Sequence, residues 1–336
     1  MTLRLSVLDQ SPIIDGHTPM EAVHRTLELA RIAENLGYHR YWLAEHHNLR
    51  GLADPCPEIL LARLGSMTSR IRIGTGGILL PYTSALKVAE TFRMLETLFP
   101  GRVDLGMGRA PGSDGRTSEA LFQGAYYDFN QFPVHVQETV AFLDDALPGN
   151  HPYAGIRAMP AGETSPEVWL LGSSDYSAAL AAQLGLRCAF AHFINANGGE
   201  QVMAAYRRDF RPSQREPAPQ PMLTVFVVCA RTDAEAERRA APIDLRRLQM
   251  ARGFDAPIAR EEQALGMPYT DSDRAVIRRE RARAIVGSPE RVRDRIVELA
   301  AAFHTDEVMV LTITGSYDSR IESYELLADA FERTPA

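Results

Sequence analysis

The sequence predicts an α/β fold, a (β/α)8 TIM barrel built as one domain over residues 1–336, and three observations carry that expectation. Strand-like and helix-like segments alternate through about eight consecutive βα units, the pattern of a parallel sheet covered by helices. The chain has 336 residues, 45% of them hydrophobic and 24% charged. That suits a barrel of about 250 residues with longer loops and a sizeable core. Polar and glycine residues gather where successive strands end, the face on which a barrel carries its chemistry.

Each element has its own signal. Residues 3–9 (LRLSVLD) form a first strand. The helix behind it opens with a capping box: Thr18 as N-cap, Pro19 at the first helical position and Glu21 three residues after the cap. Apolar Val23, Leu27, Ala30 and Leu36 recur at helical spacing, and Gly37 stops the helix. Residues 38–44 (YHRYWLA) make the second strand and 58–69 the second helix. Residues 70–81 (RIRIGTGGILLP) read as one third strand, followed by a helix over 84–99, and 101–108 (GRVDLGMG) as the fourth. After a polar excursion comes a helix over 135–147. The fifth strand is 167–172 (EVWLLG), followed by a helix that Gly185 closes. The sixth is 187–194 (RCAFAHFI), with a helix over 200–210 behind it. A Pro-rich linker (211–221) precedes the seventh strand, 222–230. The eighth is 306–314, and a helix over 320–331 completes the series. The surplus over a minimal barrel lies after strand four and in a polar segment, 253–287, after strand seven. Insertions of this kind serve as lids or binding loops.

Lys and Arg number 36 against 43 Asp and Glu, a net charge of −7, which argues against nucleic acid as a partner. The basic run RRERAR (278–283) reads as a solvated helix face. The start, MTLRLSVLDQ, lacks the features of a signal peptide, and no apolar run reaches the ~18 residues needed to cross a bilayer. The expectation is a cytoplasmic protein without a membrane segment. The three cysteines, Cys56, Cys188 and Cys229, are few and scattered, as reduced thiols are.

The strand ends hold the candidates. Strand two ends in Glu45, His46 and His47; strand three in Thr75, Gly76 and Gly77; strand four in Gly108 and Arg109; strand five in Gly172, Ser173 and Ser174. Successive strand residues face opposite ways, so both imidazoles cannot enter one barrel unless the chain has turned. No HxH, HExxH or CxxC spacing accompanies the pair, so acid–base work or hydrogen bonding fits better than a metal. GMGRAPG (106–112) fails the dinucleotide spacing because Pro111 stands where a glycine is required. Ser173, Ser174 and Ser177 at a helix start offer N–H and hydroxyl groups to an anion, and Arg109 from the next strand could complete a phosphate clamp. Against that stand ordinary N-capping by Ser174 or Asp175 and a surface ion pair for Arg109. Paired glycines in a buried strand, Gly76 and Gly77, mark a bulge or a ligand lying against the backbone. Phe122, Tyr126, Phe193 and Met267 are candidate pocket residues among which the sequence does not choose.

RYWLAEHHN, RIGTGGILLP, LFPGRVDLGMGRAPG, LLGSSDYSAALAAQLG and the end GSPERVRDRI…DEVMVLTIT…RIESYELLADAF resemble the bacterial luciferase-like flavin monooxygenases, in order and over essentially the whole chain. The likeness is to single-chain oxidoreductases of that superfamily rather than to luciferase subunits. It implies a TIM barrel that takes reduced FMN from a separate flavin reductase and uses O2 through a flavin C4a-peroxide. The deazaflavin F420, or flavin binding without turnover, are the alternatives within the superfamily. The family's active-site histidine falls on His46, with His47 beside it, and the backbone bend behind the isoalloxazine on Gly76 and Gly77. The phosphate arginine falls on Arg109, and the phosphate grip after Gly172 on Ser173, Ser174, Tyr176 and Ser177. Gly108 stands where luciferase α subunits carry a cysteine and Ser173 where they carry a glutamate, so light emission is not expected. A single chain type implies a homodimer, and the expected reaction is oxygenation of a small aldehyde- or ketone-like compound.

Overall fold

The computed structural model describes residues 3–110, 112–124 and 128–332. Its strands are β1 (Arg4–Asp9), β2 (Arg40–Leu43), β3 (Arg72–Thr75), β4 (Ile78–Leu79), β5 (Val103–Gly108), β6 (Glu167–Gly172), β7 (Arg187–Ala191), β8 (Pro221–Cys229), β9 (Ala284–Gly287) and β10 (Glu307–Leu311). The α-helices between them are α1 (Pro19–Asn35), α2 (Pro57–Met67), α3 (Ala85–Leu98), α4 (Gly115–Leu121), α5 (Phe132–Leu143), α6 (Asp175–Leu184), α7 (Gly199–Asp209), α8 (Asp233–Ala251), α9 (Glu261–Leu265), α10 (Asp271–Arg281), α11 (Pro289–Phe303) and α12 (Tyr317–Ala330). Parallel pairing runs β10–β1–β2–β3–β5–β6–β7–β8, and β8 pairs back to β10 through Leu223↔Val308 to Phe226↔Leu311. The expected eight-stranded barrel is thereby closed.

Period-two alternation divides the core into two layers. Leu5, Val7, Tyr41, Leu43, Ile73, Leu105 and Met107 point outward and pack under the helices. Leu8, Trp42, Trp169, Met222, Phe226, Met309 and Leu311 fill the interior. Trp42 and Trp169 meet edge to face inside, with ring centroids 5.3 Å apart. The inward phase of β3 and β5 carries Gly74, Asp104, Gly106 and Gly108, so one wall of the upper barrel is almost bare backbone. A Cβ on Gly106 would run into the Thr75 carbonyl, which is why only glycine allows these strands to approach so closely.

Local signals hold where they were strongest. Thr18 Oγ1 accepts the Glu21 N–H (3.2 Å), and Glu21 accepts the Thr18 N–H (2.7 Å). Gly185 ends α6 in a left-handed conformation at φ 62. Two expectations are corrected. The single strand over 70–81 is two short ones, β3 and β4, separated by a cis Gly76–Gly77 peptide. The segment 253–287 is not only polar loop: it holds α9 and α10 and ends in β9, which pairs with the last four residues of β8. The apolar stretch that forms β9 was hidden behind the charged run before it. No helix among the described residues is long and apolar enough to cross a membrane.

Candidate active site

Beyond the end of β2 the chain stays in the sheet for two residues and then turns. Ala44 donates its N–H to the Asp9 carbonyl (3.0 Å) and Glu45 to the Gly77 carbonyl (3.3 Å). His46 donates to the Asp54 carbonyl (3.0 Å) and His47 to the Gly112 carbonyl (3.2 Å). The two imidazoles therefore part. His46 lines a cavity of about 300 Å³ at the barrel mouth. His47 does not: its Nε2 meets Glu45 Oε1 at 2.7 Å, and its ring stands edge-on to Tyr82. Glu45 ties the site together, because its other carboxylate oxygen accepts the Leu79 N–H (2.7 Å) just past the glycine pair. Burial raises the Glu45 carboxyl pKa, opposed by these two bonds.

The surroundings of the His46 ring favour one tautomer. Nδ1 lies 3.4 Å from the Ala44 carbonyl, which can only accept, so Nδ1 carries the proton and Nε2 presents its lone pair. Burial pulls the His46 pKa down to about 4; the charges on Arg246 and His47 add to the shift, and the Ala44 bond opposes it. The ring is neutral at neutral pH and is a base rather than a cation.

Across the cavity is the basic side. Arg109 follows β5, and its guanidinium lies 3.9 Å from the centre of the Tyr176 ring, a cation–π contact. Among the described residues no carboxylate lies within 4.0 Å of Arg109, so the surface ion pair is absent there. Ser174 is the N-cap of α6, yet its side chain makes no capping bond. The first-turn N–H groups and the Ser174 hydroxyl are left for something else. Ser177 is buried beneath them, and a Cβ on Gly172 would press on its side chain at 2.7 Å. The Asn195 amide donates to the Ser173 carbonyl (3.1 Å) and fixes this turn.

The cavity thus unites His46, Gly76, Gly77, Arg109, Gly172, Ser173, Ser174 and Ser177. Tyr176 acts one step behind, under Arg109, and His47 lies outside the wall. Of the four aromatic and methionine candidates, Phe193 lines the cavity. Phe122 packs on Tyr82 instead (4.7 Å between ring centres), Met267 is 43% exposed, and Tyr126 lies outside the described residues. Sequence reasoning missed Gln10, Trp42, Thr224 and Met309, which also form the wall. Gln10 sits just past the end of strand one, where the same strand-end reading would have found it. Thr224 and Met309 follow from inward alternation on strands seven and eight. Among the described residues no group of three or more His, Cys, Asp or Glu side chains is disposed to hold a metal. The three cysteines are free, two of them buried.

A closed parallel barrel of this kind is a TIM barrel, and these groups stand at the C-terminal ends of its strands, the face where that fold carries catalysis. The chain matches the family model of the luciferase-like monooxygenases over residues 3–306, and it belongs to that family. It is 38% identical over 332 residues to a luciferase-like monooxygenase of Escherichia coli (strain K12), covering 98% of both chains. It is 35% identical to the N-acetyl-S-alkylcysteine monooxygenase of Bacillus subtilis (strain 168), again over 98% of each. The solved structure of apo-MsnO8 superposes with a TM-score of 0.90 at 39% identity, covering 99% of both chains. Two solved structures share the fold at lower identity. One is the oxygenating constituent of 3,6-diketocamphane monooxygenase from Pseudomonas putida in complex with FMN (18%, TM-score 0.70, 98% and 97% covered). The other is an F420-dependent secondary alcohol dehydrogenase in complex with an F420-acetone adduct (13%, TM-score 0.70, 98% and 99% covered).

Proposed function

We propose that the protein binds reduced FMN at the barrel mouth and oxygenates a small organic substrate with O2. A transient flavin reductase would supply the cofactor to a homodimer. One observation carries the reading: an arginine without a carboxylate partner among the described residues lies beside an uncapped helix start and two serine hydroxyls, across a glycine-floored cavity from a neutral histidine. The residues fit the cofactor. A dianionic phosphate would meet Arg109, Ser174 and Ser177 as charge-assisted donors. A Cβ on Gly108 would meet nothing closer than the Ile78 carbonyl at 3.6 Å, so a flat ring has room against that wall. The luciferase-like relatives and the FMN complex of the camphane enzyme point the same way.

Bound FMN would supply the redox chemistry with O2. The chain's own residues position, shield and move a proton. His46 Nε2 is available to take a proton at the reacting centre and return it. Trp42, Leu171 and Phe193 keep the cavity wall apolar and exclude water. Glu45 holds the turn that aims His46 by its grip on the Leu79 N–H. The segment 253–287 would act as a lid over this mouth.

Anaerobic titration with FMN and F420, followed by oxygen uptake with reduced FMN, tests the reading. Preferential F420 binding would replace it with hydride transfer. Oxygen uptake without product from aldehydes, ketones or N-acetyl-S-alkylcysteines would reduce it to flavin binding.

A further inference from the structure

A second cavity of about 430 Å³ adjoins the first, and Gln10 and Phe193 line both. Its remaining walls come from α8, the end of α10 and the upper barrel: Phe226, Ile243, Met250 and Ile313 are apolar, and the charged groups are Arg246, Arg247, Arg283 and Glu280. Three guanidiniums thus face one carboxylate.

Two of the three are partnered. Arg246 lies 3.3 Å from Asp255 and donates to the Ala256 carbonyl. Arg283 pairs with Glu280 and donates to the Ile194 carbonyl (3.0 Å). Arg247 is different. Among the described residues it has no carboxylate within 4.0 Å; it donates to the Glu280 main-chain carbonyl (3.1 Å) and lies over the Phe226 ring, 4.8 Å from its centre. Burial pulls its pKa down to about 10, with Arg283 adding to the shift, Asp244 opposing it and Arg281 adding further. A guanidinium keeps its proton at neutral pH regardless, so Arg247 is a half-buried cation short of an anion. The basic run 278–283 fits this division: Arg278 and Arg279 are exposed, whereas Arg283 turns into the cavity.

We propose that this second cavity seats a carboxylate of the substrate on Arg247, with Arg246 and Arg283 adding to the positive field, while the substrate's carbon chain passes Phe193 into the first cavity. The proposal rests on the monooxygenase reading, which makes the first cavity the place of reaction and Arg109 the phosphate site. With the FMN phosphate on Arg109, as proposed above, a second anion site at the same mouth belongs to a different molecule. The planar fork of a guanidinium suits a carboxylate, and the apolar walls suit an alkyl chain.

Calorimetric titration of FMN-loaded full-length protein with hexanoate and with hexanamide tests this. Hexanoate is expected to bind at least about tenfold more tightly than the uncharged amide, since only the carboxylate gains a charge-assisted bond. Arg247→Gln should abolish the preference, and Arg247→Lys should keep part of it. Met250→Glu, which offers the cavity its own carboxylate, should abolish it too and serves if Arg247→Gln does not fold. Equal binding of the two probes by the unaltered protein overturns the proposal, as does a preference that survives the variants. The titration is repeated without FMN. Hexanoate that binds only then, and is displaced by FMN, would show that the arginines hold the cofactor phosphate, and the substrate assignment falls. Failure of FMN to bind at all would sink the flavin reading alone, because the carboxylate preference is still read on the unloaded protein.

Discussion

The two ends of the barrel handle charge in opposite ways. At the N-terminal end Arg40 reaches Asp104 (2.9 Å), Glu167 (2.7 Å) and Glu307 (2.7 Å). Arg72 pairs with Asp104 (2.5 Å) and Arg187 with Glu167 (3.0 Å). The Ser6 hydroxyl donates to Glu307 and the Trp42 indole N–H to Asp104. Burial pushes the Asp104 carboxyl up, but Arg40 and Arg72 more than offset it and hold the group below its usual range. Each of these charges is answered by another residue of the chain. At the C-terminal end Arg109 and Arg247 have no carboxylate partner among the described residues, His46 is kept neutral, and glycines stand where side chains would fill the wall. A closed network fixes the fold, and the groups left open at the other end are those a ligand can complete.

The largest expected effect breaks the closed end. Arg40→Met removes the cation that Asp104, Glu167 and Glu307 share and should lower unfolding free energy by about 3–5 kcal/mol, read by urea denaturation. A loss below ~1 kcal/mol would mean that this charge network does not hold the barrel together. Next comes His46→Gln, which should cut product formation by about 10²-fold or more while FMN affinity and melting temperature stay close to those of the unaltered protein. Because the His46 pKa is depressed to about 4, the unfolded chain takes up this proton first. Its contribution to stability is present above the ordinary histidine value and is lost as pH falls from about 6.5 towards 4. Activity that depends on neutral His46 should accordingly be flat from pH 6 to 8 and decline only in acid. A step centred near pH 6.5 would show that the ring is not desolvated.

Arg109→Ala sharpens the contrast from the open side. FMN affinity should drop about 10–100-fold, as one or two charge-assisted bonds are lost, with little change in stability because no protein carboxylate is left unpaired. That Arg109 and the serines after β6 line one cavity was legible in the sequence, since they stand at adjacent strand ends. The barrel itself was legible for the same reason: period-two strands and capped helices are local signals, as at Thr18 and Gly185. The rest was not local. The paired glycines marked a bend at Gly76–Gly77, but the close approach of Gly106 to Thr75 across strands was not visible in either segment alone. The divergence of His46 and His47 follows from a turn anchored by Asp54 and Gly112, eight and 65 positions further along. Arg247 and Arg283 lie on an ordinary helix and just beyond a basic one, and they meet at the mouth only because α8 to α10 fold back over it.

The smallest effect expected concerns a charge that the open end holds without a partner. Asp54 is 2% exposed, its main-chain carbonyl anchors the His46 N–H, and its Oδ1 accepts the Cys56 N–H at 3.0 Å. Its Oδ2 has no hydrogen-bond partner among the described residues. Burial lifts this carboxyl to about 7, opposed by the Cys56 bond and reinforced by Asp9, Glu58 and Glu45. A raised carboxyl stabilises the fold fully below the ordinary aspartate value and loses that contribution as pH climbs through 7. Asp54→Asn should therefore stabilise the protein by about 1–2 kcal/mol at pH 8 and by nothing at pH 4, measured by urea unfolding at both. An equal gain at the two pH values would locate the benefit in packing rather than charge. A loss at pH 8 would mean that Oδ2 is answered after all, and the mouth of the barrel would then resemble its base, with its charges met from within the chain.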